Sequence, residues 1–109
     1  MHELALTESI VSGVRERLGE VRVTRVILDV GQLSGVVPRA VAFCFELCAS
    51  GTSLDGAALE IHETPAEGTC RGCGATLALE GPIPSCACGS FDIQILSGDA
   101  IRVRAVEVA

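Results

Sequence analysis

The chain of 109 residues contains no Trp, no Tyr and no Lys, and only three Phe and two His. Without large aromatics the core must be aliphatic, built from Val, Leu, Ile and Ala. Without Lys the positive charge rests on eight Arg, which are scattered, and the net charge is −6. Binding to phosphate backbones needs clustered cations, so no nucleic acid is expected as a partner. No apolar run approaches the ~18 residues that a membrane span requires, so no membrane partner is expected. The start lacks the basic region and apolar block of a secretory signal, and the expected location is cytoplasmic. No nucleophile pairs with a base, and no phosphate-binding Gly loop leads into a Lys. The chain is therefore not expected to be an enzyme.

The length suits one small domain, or one domain carrying a small module. A core of that size is limited and often needs a metal, disulfides or a partner. Six Cys are present. In the cytoplasm thiols stay reduced, so metal binding is expected before disulfides.

The pattern along the chain predicts an α+β fold. Leu4, Val11, Val14 and Leu18 fall at helical spacing over Leu4 to Leu18, with Thr7, Glu8, Ser12, Arg15 and Glu16 largely on the other face. Val21 to Val30 is rich in β-branched residues and reads as a strand, with Val26, Leu28 and Val30 on one face. Pro38 suits the first turn of a second helix to Ala49, whose apolar stripe is Val41, Cys44, Phe45 and Cys48. ALEIHET alternates as a half-buried strand. So does the closing AIRVRAVEV, with Ile101 and Val103 inward and Arg102 and Arg104 outward. The expected architecture is a small three-stranded sheet with two helices on one face. An inserted module with four Cys, resembling a zinc ribbon, interrupts it. The main domain spans 1–64 and 99–109, and the insert spans 65–98, which holds four of the Cys, six of the twelve Gly and three of the four Pro.

Within the insert, Cys70 and Cys73 form a CxxC pair, and Cys86 and Cys88 form a CxC pair. Two thiolate pairs on two tight turns are what tetrahedral sulfur coordination demands, and Zn²⁺ is the usual occupant. Gly72, Gly74 and Gly89 are expected to let the backbone turn there. Two disulfides and an iron site of rubredoxin type are the alternatives. Four Cys leave no open coordination position, so the zinc should hold structure and drive folding of its segment. Cys44 and Cys48 lie four apart on one helix face. They could bind a metal together, but their apolar stripe favours a core role.

The chain begins Met1-His2-Glu3. A terminal amine, the His2 amide and the His2 imidazole can close five- and six-membered chelate rings on one ion, with the Glu3 amide or carboxylate in a fourth position. Nitrogen-rich tetragonal sites favour Ni²⁺ or Cu²⁺. Read alone, the motif is a weak signal, and an exposed His near a helix start explains it better.

Longer motifs extend the reading. MHE, VTRVILDVGQLSGVVP, FCFELCASGT, ALEIHETPAEGTCRGCG, CACGS and LSGDAIRVRAVEV occur in one order along essentially the whole chain. In these the chain resembles the HypA/HybF family of hydrogenase nickel-incorporation proteins. The resemblance implies a nickel metallochaperone with Ni²⁺ at Met1, His2 and Glu3 and structural Zn²⁺ at Cys70, Cys73, Cys86 and Cys88. It implies as partners a nickel-insertion GTPase and the large subunit of [NiFe]-hydrogenase. A homodimer is open, because strand edges could pair. Some relatives carry a further His near the Cys pairs, where this chain has none. His62 is the sole spare imidazole and is held as a candidate extra ligand. The competing class is a zinc-ribbon module for protein or nucleic-acid interaction, without a nickel role.

Overall fold

The computed structural model describes residues 2–80 and 84–109. The first apolar stripe becomes helix α1 (Glu3–Leu18), but its inward line is Thr7, Val11 and Val14. Leu4, expected inward, is about half exposed. Thr7, expected on the polar face, can be buried because its hydroxyl donates to the Glu3 carbonyl at 2.6 Å, which satisfies the polar group inside its own helix. Gly19 ends α1 with a positive φ of 65°.

Strand β1 (Val23–Gly31) is central. It leads through helix α2 (Pro38–Ala49), with Pro at its first turn, into strand β2 (Ala58–Thr64), which pairs parallel to β1. The closing strand β6 (Ile101–Val108) pairs antiparallel on the other side, giving the order β2-β1-β6. The two helices share a core with Val26, Leu28 and Val30 of β1, through Val11 and Val14 of α1 and Val41 and Phe45 of α2. The expected α+β architecture is thus present. On α2, Val41, Phe45 and Ala49 are buried. Cys48 is half-buried against the core, and Cys44 is half-buried beside that line.

Of two register shifts between β1 and β6, the one at Ile27/Leu28 positions a charged group. Ile27 lies opposite Ala105, and Leu28 lies opposite Val103, so Arg104 is an extra residue in β6. The bulge lets both Arg102 and Arg104 bond to the Asp29 carboxylate of β1. Asp29 is buried, and the Arg104 guanidinium beside it, with help from Arg102, holds its carboxyl below the usual range. Val103, expected inward, is 37% exposed.

The cysteine segment forms a second sheet. Strands β3 (Glu67–Cys70), β4 (Thr76–Ala78) and β5 (Ile93–Ser97) pair antiparallel in the order β4-β3-β5. The two sheets share no strand, and the chain extends 52 Å by 21 Å by 18 Å. They meet where β1 ends. The Gly31 amide donates to the Ala100 carbonyl at 2.8 Å, Gln32 to Thr64 at 3.0 Å and Leu33 to Gly98 at 2.7 Å. A Cβ on Gly31 would overlap the Gly98 carbonyl, and one on Gly98 would overlap Ala66. Only glycine allows main chains to approach this closely.

Candidate metal centre

Two turns carry the cysteines. In the first, the Gly74 amide returns to the Cys70 carbonyl at 2.7 Å, and the Cys70 amide donates to Ala75 at 2.9 Å. In the second, Gly89 returns to Cys86 and Cys86 donates to Ser90, both at 2.9 Å. Gly74 and Gly89 have φ of 78° and 93°, the left-handed region that the turns require. Gly72 serves differently from the expectation. Its φ is not positive; a Cβ there would crowd the Ser90 side chain at 3.2 Å. It lets the two turns pack on each other. Arg71 on the first turn bonds Asp92 beyond the second, by backbone at 2.9 Å and by side chain at 3.3 Å.

This packing brings all four sulfurs within 4.8 Å of one another. Cys70 and Cys88 lie 3.6 Å apart, as do Cys73 and Cys86. A tetrahedron with metal–sulfur bonds of about 2.3 Å has edges of about 3.8 Å. The thiols therefore already span the right figure, and the four residues fit a closed sulfur-coordinated metal. Backbone amides face the sulfurs. The amide of Cys73, together with that of Gly72 and the Cys88 thiol, pulls the Cys70 thiol down to about 6. At Cys73 the Ala75 amide pulls the same way, but the thiols of Cys86, Cys70 and Cys88 outweigh it and push Cys73 up to about 11. Cys88 is also raised; the Ser90 amide lowers it, and the neighbouring Cys86 and Cys70 thiols prevail. Four thiols this close cannot all ionise without a cation among them. Cys70 is buried, while Cys73 and Cys88 are exposed.

The amino terminus is a separate place. His2 is exposed and precedes α1, with φ of −94° and ψ of 76°. The Glu3 carboxylate accepts a bond from the Val37 amide at 3.2 Å. That bond and one from its own amide hold it below the usual carboxylate range. Met1 lies outside the described residues. His62 stands on β2 opposite Asp29, and its Nε2 meets the Glu60 carboxylate at 2.6 Å. It joins a hydrogen-bonded row in which Arg25 also bonds Glu60 and Glu107, each at 3.1 Å. Cys48 sits under the mouth of a cleft between the helices, and burial, with the Glu8 charge next, pushes its thiol up. Among the described residues, the four-Cys group is the only cluster of three or more potential ligands.

The composition of the sequence had not indicated the buried Asp29 with its two Arg. The cue was present as an acid inside an apolar strand and two Arg two apart in another, but pairing them required the register.

The HypA family, described as hydrogenase/urease nickel incorporation, metallochaperone, matches residues 1–108. A hydrogenase maturation factor HypA of Nostoc sp. is 45% identical over 108 residues, covering 99% of this chain and 96% of the relative. Another, of Geotalea uraniireducens, is 49% identical over 109 residues and covers 99% of each. The solution structure of the Ni metallochaperone HypA from Helicobacter pylori superimposes with a TM-score of 0.69 at 20% identity, covering 99% of this chain and 97% of that one. The chain belongs to the HypA family.

Proposed function

We propose that this chain is a nickel metallochaperone that binds Ni²⁺ at its amino terminus and helps deliver it to the large subunit of [NiFe]-hydrogenase. In this reading, 1–64 and 99–109 form the nickel-binding domain and 65–98 the zinc-binding module. The observation that carries it is the whole-length family match, joined to an exposed His2 at the head of α1. The first amides of a helix have no intrahelical acceptor. The amides of His2 and Glu3 can therefore release their protons to solvent and bind a metal through nitrogen without breaking α1.

The ligands are the Met1 amine, the His2 amide and imidazole, and the Glu3 amide. The Glu3 carboxylate, engaged with Val37, ties the terminus to α2 instead. An exposed chelate with few ligands can be handed over one ligand at a time. Affinity rises with pH because amine and amide must lose protons. Nickel is cargo, so the chain acts as a carrier and not a catalyst. It works in the cytoplasm with a nickel-insertion GTPase.

The four-Cys site takes Zn²⁺. Its closed sulfur set leaves no open position, which marks a structural centre. The ion's charge would let all four thiols ionise together. His62, paired with Glu60, stays outside both sites.

The test is Ni²⁺ titration of the untagged protein, its N-acetylated form and His2→Ala. Each change should abolish tight nickel binding while one zinc stays bound. Unchanged nickel affinity in His2→Ala would sink the reading.

A further inference from the structure

The outer edge of β6 is unpaired, because β6 ends the sheet order β2-β1-β6. Between this edge and α1 runs a groove of about 730 Å³. Its walls are apolar: Leu6, Ile10 and Leu18 on the helix, Ile101, Val103 and Val106 on the strand. Val103 and Val108 are 37% and 47% exposed at the strand side. Two further observations say what it accommodates.

The first is Gly13, which lines the groove in the interior of α1. Glycine weakens a helix interior, and here no neighbour demands it: a Cβ would meet nothing within 4 Å. The space above Gly13 is open to an occupant from outside the chain. The second is charge. The charged residues that line the groove are Arg17, Arg102 and Arg104, with no acid among them, on a chain of net charge −6. Arg17 makes no ion pair among the described residues. Arg104 grips both oxygens of Asp29, whereas Arg102 reaches it through Nε alone at 3.3 Å and is 76% exposed in its side chain. Its terminal nitrogens remain free to bind another carboxylate.

We infer that this groove receives an extended, apolar segment of a partner protein flanked by acidic residues, which adds to β6 as a fourth strand. Main-chain bonds to the β6 edge would supply affinity, and alternate side chains entering the groove over Gly13 would supply selectivity. The same charges disfavour a second copy of this chain. Edge-to-edge pairing of two β6 strands would set Arg102 and Arg104 of one copy against those of the other, and like charges facing each other across a strand pair are destabilising, whereas an acid-flanked segment meets them with opposite charge.

The probe is a synthetic peptide of alternating Val and Thr with Asp at both ends, fluorescently labelled and titrated with the full zinc-loaded chain. A twin peptide with Lys at its ends is the control. Saturable binding of the Asp peptide is expected, at least about tenfold tighter than the Lys twin, with slowed amide exchange along β6. Gly13→Leu should fill the groove and weaken binding by at least about tenfold while leaving the helix intact, since Leu is the better helix former. Arg17→Glu, a change on an exposed side chain, should weaken the Asp peptide and favour the Lys twin. Both variants keep every terminal metal ligand, so their nickel stoichiometry should not change. Absence of saturable binding overturns the inference. So does equal binding by Gly13→Leu, or a self-association in sedimentation that Gly13→Leu abolishes, which would assign the groove to a second copy.

Discussion

The helix-backed sheet buries ten residues in one continuous cluster, from Val11 to Leu54. Among the described residues, the cysteine segment buries the apolar side chains of Ala66, Cys70 and Leu79, none of them in that cluster. Three such side chains are worth at most about 6 kcal/mol, too little to order a segment of this length. One sheet is therefore held by hydrocarbon, and the other by the geometry of four sulfurs and by the glycine junction that ties it to the first. The difference separates the duties of the two regions. In the proposed function, the lobe with its own core carries a loosely held cargo at its terminus without risking its fold. A segment without a core needs an ion that does not leave.

The sharpest way to break this comparison is to empty the proposed zinc site. With zinc in the four-Cys site as proposed, its removal, or Cys70→Ser, should cost the cysteine segment on the order of 10 kcal/mol of metal-linked folding energy. In amide-correlation NMR the resonances of 65–98 should collapse toward random-coil positions, while those of α1 and β1 stay dispersed. The converse change is Leu28→Ala in the fully buried centre of β1. It should lower global stability by about 2–5 kcal/mol in urea unfolding, yet leave one zinc bound under native conditions. Next comes the junction. Gly98→Ala places a Cβ against Ala66 at a φ of 88°. A cost of about 1–3 kcal/mol is expected, together with a changed angle between the sheets in small-angle scattering.

The smallest effect concerns pH. Asp29 is held below its ordinary value by Arg104, so its ion pairs stabilise the fold above the unfolded value of about 4 and are lost as pH falls through the lower folded value. The thermal midpoint of the wild type should drop on acidification through that window. Asp29→Asn should start lower and show a shallower acid limb.

Much of this could be read in the residues. The α+β class followed from a 3.6-residue period in α1, β-branched runs in β1 and alternation in β2 and β6. The cysteine cluster followed from spacing, because CxxC and CxC each place two sulfurs on one turn. The placing of Thr7 on the polar face failed for a local reason: its hydroxyl could be buried by bonding its own helix, while Leu4, in the first turn, lies about half exposed. The second sheet was missed because its strands are short, with β4 only three residues long, and short strands leave little periodicity to read.

By itself the sequence determined which residues could be inside, where the chain must turn, and which side chains could hold metals. Those properties are local, set by side-chain chemistry and spacing along the backbone. The tertiary structure alone decided the partners across the sheet. It set two Arg on one buried Asp by a single-residue bulge, tied Glu3 to Val37, and left β6 with an open edge beside Gly13. Such relations join residues far apart in the chain, and they exist only once register and packing bring them within a few ångströms.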